Sequence, residues 1–170
     1  MQKVGLGGTS PRFCVFIANR PPLDEYQHDI YRPMRPGEIA DIARQTGNHW
    51  RKIFNVYAKL AYLLDNDHCR SWQQLRDEKL LQEGSHYALL FNAPDLKNRS
   101  PQSLILGKGY ADNLGLTAES GGPLDWDMPG FALDARADFI VCPYFDYRQL
   151  SNIKLLYLKD LIARNQMLKK

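Results

Sequence analysis

The sequence is poor in cysteine and has no long apolar run. Its three cysteines, Cys14, Cys69 and Cys142, are widely spaced, without a CxxC pair or the Cys and His spacing of a zinc finger. Because Cys14 and Cys142 lie in apolar runs, we expect these two to be core thiols in a reducing compartment. No apolar stretch approaches the roughly 18 residues that a membrane span needs, and Met1 to Ser10 lack the apolar core of a signal peptide. Both absences favour a cytoplasmic protein that does not bind membranes.

A strong charge of either sign is also missing. Over 170 residues, 22 lysines and arginines face 19 aspartates and glutamates, which gives a formal net charge of +3. This excess is well below that of a protein that coats nucleic acid, so the charge leaves nucleic-acid binding open. With 44% hydrophobic and 24% charged residues, the composition excludes a coiled coil, a collagen-like fibre and a disordered chain. The length fits one α/β domain over residues 1–170, with a flexible segment at 1–11 and an irregular loop at 117–130.

Motifs that bind cofactors or carry out nucleophilic catalysis are absent as well. The segment Gly107-Lys108-Gly109 has neither the GxxxxGK[ST] spacing of a phosphate-binding loop nor a GxGxxG fingerprint. As a strand-to-helix turn it would either cradle a phosphate or be a plain tight turn, and the sequence favours the tight turn. GxSxG and HExxH are missing, and the four histidines are scattered. We therefore expect no cofactor and no metal ion.

Four short apolar runs are the strongest signals in the chain. They are uninterrupted and rich in β-forming residues, as is typical of strands buried on both faces: Phe13–Ala18, His86–Phe91, Ser103–Leu106 and Phe139–Cys142. Segments with helical periodicity or capping signals separate them. This alternation predicts an α/β fold, namely a three-layer sandwich with helices on both faces of a central four-stranded parallel sheet.

Local signals divide the helical segments. Pro36 suits the first turn of a short helix, which the segment Thr46-Gly47-Asn48 interrupts. Asn48 is then a good N-cap for a longer helix with apolar residues at steps of three and four. Ser71 and Gln74 have the spacing of a capping box and predict the start of a third helix.

Polar residues follow each predicted strand. In an open parallel sheet, ligands bind beyond the carboxyl ends of the strands, so the loops that begin at Asn19, Asn92, Gly107 and Pro143 should meet in space. The candidate ligand-binding residues on these loops combine both signs of charge with amides and aromatic rings: Asn19, Arg20, Asn92, Lys108, Tyr110, Tyr144, Asp146 and Arg148. We expect them to line a polar pocket for a nucleotide, a nucleobase or a similar small polar ligand.

Some of these residues also have a plain structural interpretation. Asp146 and Arg148 either bind a ligand or form ion pairs with neighbouring residues that stabilise the loop. His49, near a helix start, is more typical of a packed or solvated side chain than of a base. If the protein is an enzyme, Asn19 and Asp24 are the candidate catalytic residues, because an amide or an acid there would position a water.

Three stretches of the chain resemble segments of mismatch-type uracil-DNA glycosylases. Thr46-Gly-Asn-His-Trp-Arg-Lys-Ile-Phe54 is similar to the Gly-Asn-x-aromatic segment that opens a helix in that family. Leu104-Ile-Leu-Gly-Lys-Gly-Tyr-Ala-Asp-Asn-Leu-Gly115 is similar to its strand-Gly-x-x-Ala and Leu-Gly unit, and Cys142-Pro143, with the loop to Asn152, resembles the layout of its His-Pro-Ser-Pro loop. The resemblance implies a uracil-DNA glycosylase-like fold and, as an alternative function, a DNA glycosylase or another N-glycosidic hydrolase.

The residues at that family's catalytic positions differ in this sequence. Arg20 stands where the first motif has its polar or acidic catalytic residue, and Asn19, one place earlier, is the amide able to substitute for it. In the last motif, Cys142 replaces the His that supports the leaving base. A glycosylase flips its target base into a pocket lined by aromatic and amide groups. In this chain the resemblance would give that role to Asn92, Tyr144 and Tyr147.

A second resemblance rests on two motifs. Thr46-Gly-Asn-His-Trp-Arg-Lys52 and Val141-Cys-Pro-Tyr-Phe-Asp-Tyr-Arg-Gln-Leu-Ser-Asn152 are together similar to a small family of uncharacterised bacterial proteins with no established activity. A third functional interpretation comes from the residues themselves. Trp126, flanked by acidic residues in the 117–130 loop, would suit an apolar contact of a protein-interaction module. The sequence does not predict an oligomeric state.

Overall fold

In the computed structural model, the described residues are 2–97, 101–116, 124–134 and 139–168, and they contain one mixed sheet of eight strands. The strands are β1 (Gly5–Gly7), β2 (Phe13–Phe16), β3 (Tyr31–Arg32), β4 (Tyr87–Leu90), β5 (Gln102–Leu106), β6 (Leu124–Met128), β7 (Phe131–Asp134) and β8 (Phe139–Cys142). Their order across the sheet is β3-β1-β4-β2-β5-β8-β7-β6. The α/β class is confirmed, but the sheet is mixed and extends beyond the four parallel strands that the sequence predicts.

Five α-helices and a short 3-10 helix occur in the described residues. They are the 3-10 helix (Asp24–Gln27), α1 (Glu38–Thr46), α2 (Asn48–Leu64), α3 (Trp72–Glu78), α4 (Lys108–Asn113) and α5 (Asn152–Leu168). The Ser71 hydroxyl accepts the Gln74 amide at 3.1 Å, which confirms the predicted cap of α3. The predicted cap of α2 is wrong, because Gly47, with φ of +92°, precedes the helix and Asn48 is its first residue. None of the described helices is both long and apolar enough to span a bilayer.

The centre of the sheet consists of the four predicted strands. β4, β2, β5 and β8 are neighbours in this order and run parallel to one another. They are central because their uninterrupted apolar sequences suit burial on both faces of a sheet. Along β2, Val15 faces one apolar cluster while Cys14 and Phe16 face the other.

Helices cover the two faces of the sheet unequally. The larger apolar cluster joins one face of the sheet to α1, α2, α3 and α5. The smaller cluster joins the other face to α4, which contributes Ala111 and the partly buried Tyr110. Most of the core therefore lies between the sheet and the four helices of the first face, and in the described part of the chain the second helical layer consists of one short helix.

The segment predicted to be flexible, residues 1–11, contributes the buried strand β1. β1 pairs antiparallel with β4, so the glycines of β1 lie directly against a neighbouring backbone. A Cβ at Gly7 would lie 2.7 Å from Cα of Ala88. Only glycine permits this approach, and the low strand propensity of a Gly-Leu-Gly sequence is therefore overridden by tertiary packing.

Part of the segment predicted to be an irregular loop, residues 117–130, is an antiparallel hairpin. β6 pairs with β7, and β7 continues the sheet by pairing antiparallel with β8. Gly130, in the turn between them, has φ of +89°, a conformation that favours glycine. Residues 117–123 lie outside the described residues. Trp126 lies in β6, and its side chain is also outside what the structure describes.

Candidate functional site

Side chains from two of the loops that follow the parallel strands meet at the carboxyl edge of the sheet. The Tyr144 hydroxyl, beyond β8, donates a hydrogen bond of 2.8 Å to Oδ1 of Asn19, beyond β2. Nε2 of His49, in the first turn of α2, lies 3.3 Å from the same hydroxyl and 3.4 Å from Nδ2 of Asn19. We call Asn19, His49 and Tyr144 the carboxyl-edge cluster.

A different element positions each member of the carboxyl-edge cluster. Asn19 follows β2, His49 begins α2, and Tyr144 precedes Phe145, which is completely buried. The Phe145 ring packs edge-on against Tyr57 of α2, with 5.6 Å between ring centroids. The rings of His49 and Tyr144 are nearly parallel, with an interplanar angle of 19° and centroids 5.7 Å apart. Buried packing below the cluster thus fixes side chains that are partly open to solvent.

Burial determines the protonation of the phenol in the cluster. It raises the pKa of Tyr144; the hydrogen bond with Asn19 lowers it by less, and the negative charge of Asp146 raises it further. The hydroxyl therefore stays protonated at neutral pH and acts as a donor. Nε2 of His49 then either accepts from Asn19 or, in the other tautomer, donates to the Tyr144 oxygen. The cluster thus offers donors and acceptors but no nucleophilic phenolate.

A cation and a second aromatic ring border the carboxyl-edge cluster. Lys52 lies one helical turn beyond His49, and its Nζ is 3.8 Å from Oδ2 of Asp146 and 4.8 Å from the centroid of the Tyr147 ring. Oδ1 of Asp146 also accepts the backbone amide of Arg148 at 2.8 Å. Asp146 therefore stabilises its own loop, and Lys52 brings a positive charge next to the cluster.

Arg20, a predicted ligand-binding residue, contacts the segment that follows β2. Its Nη2 forms a 2.9 Å ion pair with Asp29, and its Nη1 donates to the Tyr26 carbonyl at 3.3 Å. The guanidinium carbon also lies 5.8 Å from the centroid of the Phe91 ring. These contacts hold the 3-10 helix against the sheet, so the structure gives Arg20 a positioning role.

Asn92, another predicted ligand-binding residue, lies beyond β4 and supports the N-terminal segment. Its Oδ1 accepts the amide of Val4 at 2.8 Å, and its Nδ2 donates to the Ala93 carbonyl at 3.1 Å. The side chain thus fixes the residue that precedes β1. A part of Asn92 in ligand binding stays a prediction.

The remaining candidates are more dispersed. Lys108 is exposed at the start of α4, whereas Tyr110 of α4 packs against the smaller apolar cluster, where burial raises its pKa. Arg148 is exposed in the loop after β8. Asp24 is exposed in the 3-10 helix, and among the described residues no hydrogen bond or ion pair joins it to the carboxyl-edge cluster.

Two cavities between described residues lie away from the cluster. One of about 360 Å³ opens at the amino-terminal end of β4, beside His86 and Tyr87. A groove of about 330 Å³ lies between α2, α3 and α5. The predicted polar pocket stays a prediction, and among the described residues the carboxyl edge carries a partly exposed cluster of side chains. In the described part of the chain, no group of three or more His, Cys, Asp or Glu side chains is placed to hold a metal ion.

Two residues of the site, His49 and Lys52, were absent from the predicted set. Their spacing places them one turn apart on the same side of a helix that begins at Asn48. This spacing is visible in the sequence. The sequence does not show that the start of α2 lies at the carboxyl edge of the sheet. This tertiary arrangement is what brings His49 next to Tyr144 and Lys52 next to Asp146.

Comparison with known proteins identifies a family but no activity. No curated protein and no solved structure matches the chain significantly, so the likeness to the uracil-DNA glycosylase fold is not shown. The model of DUF6942, a family of unknown function, matches residues 4–163, and this range includes the carboxyl-edge cluster. The chain therefore belongs to the family of unknown function DUF6942.

Proposed function

We propose that the carboxyl-edge cluster binds a small, planar polar ligand of the nucleobase or nucleotide type. The observation that carries this proposal is the mutual hydrogen bonding of Asn19, His49 and Tyr144 at the end of the parallel strands. The carboxyl edge is where open α/β sheets bind their ligands. Ordering three polar side chains from three separate elements costs conformational entropy. Such ordering in loops favours a role in binding rather than in connecting strands alone.

The chemistry of the cluster suits a heterocyclic ring. The Asn19 amide has both a donor and an acceptor, which is the pattern needed to pair with the edge of a nucleobase. The rings of His49, Tyr144 and the 52% exposed Tyr147 supply aromatic surfaces for stacking. Lys52 adds a single positive charge at the border, which would favour a nucleotide phosphate over a neutral base.

A thermal-shift screen tests the proposal directly. The ligands are nucleobases, nucleosides and nucleoside monophosphates, with inorganic phosphate alone as a separate arm. A ligand at ten times its dissociation constant stabilises the folded state by about 1.4 kcal/mol. In a chain of this length, that raises the unfolding midpoint by about 3–6 °C. We expect such a shift with a base-containing ligand and no comparable shift with phosphate.

Matched variants assign the shift to the cluster. Tyr144→Phe removes the hydroxyl and keeps the ring, and His49→Ala removes the imidazole; each should abolish the shift. Tyr62→Phe removes another hydroxyl, one that donates to the Arg70 carbonyl at 3.3 Å, and His28→Ala removes another exposed imidazole. Both controls should keep the shift. The proposal is wrong if no base-containing ligand raises the midpoint, or if Tyr144→Phe and His49→Ala respond like the unmodified protein.

N-glycosidic hydrolysis is a second candidate, favoured by the 3.4 Å contact between Asn19 and His49. An amide that orients a water beside an imidazole able to accept its proton is a plausible hydrolytic pair. Release of free base from uracil-containing or mismatched DNA, lost in Asn19→Ala and in His49→Ala but retained in His28→Ala, would support it. No released base at micromolar enzyme would exclude this activity and leave ligand binding as the function.

A further inference from the structure

A groove with mainly apolar walls crosses the helical face of the protein, far from the edge that carries Asn19. It lies between α2, α3 and α5 and has a volume of about 330 Å³. Its walls include two aromatic rings, three leucines and one lysine: Tyr62, Trp72, Leu63, Leu155, Leu156 and Lys59. We call it the α2–α5 groove. Its composition is that of a protein-binding surface rather than of a solvated helical face.

Exposed aliphatic side chains extend the α2–α5 groove along α5. Ile153 is 81% exposed and Leu156 is 50% exposed, and they lie one helical turn apart. Few large hydrophobic side chains in the described residues are this exposed, and two of them adjoin the same groove. Contiguous exposed apolar surface on a helix next to a groove is typical of a surface that a partner covers.

The charges at the α2–α5 groove are mainly positive. Among the described residues that line it, Lys59 carries the only charge, with its Nζ 5.1 Å from the centroid of the Trp72 ring. Arg76 lies over the same ring at 5.4 Å, but Asp77 neutralises it in a 2.8 Å ion pair. Lys159 follows Leu156 by three residues on α5. Asp160, also on α5, is exposed, but no acidic side chain lines the groove itself.

We propose that the α2–α5 groove binds an amphipathic helix of a partner protein, with acidic residues flanking its apolar face. A helix suits the site because helices pack their ridges into grooves between other helices, with apolar residues at steps of three and four. The acidic flanks follow from Lys59 and Lys159, because opposite charges across an interface favour the correct partner.

The same charges disfavour two other occupants. A second copy of the chain would bring Lys59 and Lys159 toward the same two lysines of the partner groove across a two-fold axis, and like charges there are unfavourable. Single-stranded nucleic acid would need free aromatic faces for its bases, whereas the Trp72 ring already lies under two cations.

Selection from a random peptide display library on the full-length protein tests the proposal. We expect the enriched peptides to share apolar residues at helical spacing together with Asp or Glu on the flanks. A labelled synthetic peptide from that set should bind at least tenfold more weakly to Leu156→Asp than to the unmodified protein. Ile30→Asp is the matched control, because Ile30 is also 50% exposed and lies outside the groove, and it should bind normally.

A charge exchange tests the acidic flanks separately from the apolar contact. Lys59→Glu should weaken binding of the acidic peptide, and replacing the facing Glu of the peptide by Lys should restore it. The proposal is overturned if the library yields no helical pattern, if enriched peptides carry no acidic bias, or if Leu156→Asp binds normally. It is also overturned if sedimentation shows a dimer that Leu156→Asp dissociates, or if single-stranded DNA competes with the peptide.

Discussion

Replacing Glu38 by Gln should destabilise the protein substantially, because this carboxylate is buried and fully hydrogen-bonded. Glu38 is 1% exposed. Its Oε1 accepts Nη1 of Arg32 and the amide of Arg35, each at 2.8 Å. Its Oε2 accepts Nη2 of Arg32 at 2.8 Å and the Tyr26 hydroxyl at 2.7 Å. All four hydrogen bonds require an acceptor atom on Glu38, and two of the four donors belong to the Arg32 guanidinium.

The expected loss can be estimated from these contacts. In Glu38→Gln the new NH₂ group faces two donors whichever way the amide is turned, and Arg32 loses its buried countercharge. Breaking a buried ion pair by removing one partner costs about 3–5 kcal/mol. Arg32 is 23% exposed and keeps a 2.8 Å ion pair with Glu25, so part of its charge remains satisfied. We therefore expect a loss of about 2–4 kcal/mol in the free energy of unfolding.

The effect should depend on pH in a defined direction. Burial alone would raise the pKa of Glu38, but the hydrogen bonds from Arg32, from the Arg35 amide and from Tyr26 outweigh it, so the pKa is lowered. The ionised carboxylate therefore stabilises the fold at pH values above its unfolded pKa of about 4.3. That stabilisation is lost as the pH falls through the lower, folded pKa. The difference between the unmodified protein and Glu38→Gln should accordingly be largest near neutrality and shrink below pH ~4.

Urea unfolding at pH 7 and at lower pH measures both quantities. Glu78→Gln is the control, because Glu78 is exposed and accepts one hydrogen bond, from Gln74 at 3.0 Å. It should change the free energy of unfolding by about 0.5 kcal/mol or less. A loss below about 1 kcal/mol for Glu38→Gln at pH 7, or a difference that grows on acidification, would refute this account of the network.

Three further predictions concern two glycines and the buried thiols. Gly5→Ala would place a Cβ against the backbone carbonyl of Leu89, so it should cost about 3 kcal/mol or more in urea unfolding. In α4, a Cβ at Gly109 would meet nothing within 4 Å. Gly109→Ala should therefore raise the free energy of unfolding by about 0.5–1 kcal/mol, since alanine is the better helix former. A lower free energy of unfolding in this variant would contradict the open space around Gly109. All three cysteines are buried, and burial raises the pKa of Cys14 to about 11, against a smaller lowering by Lys3. A thiol reagent at pH 8 should therefore react with the unfolded protein and not with the native one, and rapid native labelling would contradict the burial.

The centre of the sheet was predictable because each central strand carries its own signal. β2, β4, β5 and β8 are continuous apolar runs, and a run of this kind is stable only when both of its faces are covered. β1 gives no such signal. Its two glycines have low strand propensity, and they are tolerated because β4 approaches too closely for any Cβ. β1 thus forms a strand because it pairs with β4, which lies more than 80 residues away along the chain.

The sequence predicts where the candidate site lies but only some of the residues that form it. The rule that parallel strands end at one edge brings Asn19 and Tyr144 together, and it needs no knowledge of side-chain partners. Arg20 and Asn92 lie at that edge too, but nearer partners, Asp29 and the Val4 amide, take up their polar groups. Such competition between a ligand and a local partner depends on distances that sequence spacing does not contain. For the same reason His49 was missed.

The segment from Asn19 to His49 connects the stability of the fold to the candidate site. Its two ends meet in the carboxyl-edge cluster, with 3.4 Å between Nδ2 of Asn19 and Nε2 of His49. Between these ends, Arg20 fixes the 3-10 helix through the Tyr26 carbonyl, and the Tyr26 hydroxyl in turn donates to buried Glu38 of α1. Closing a 30-residue segment on itself costs conformational entropy that polar anchors along its length offset. The buried carboxylate of Glu38 therefore pre-organises side chains that it does not touch. A weakened Glu38 network should loosen the cluster before it unfolds the sheet.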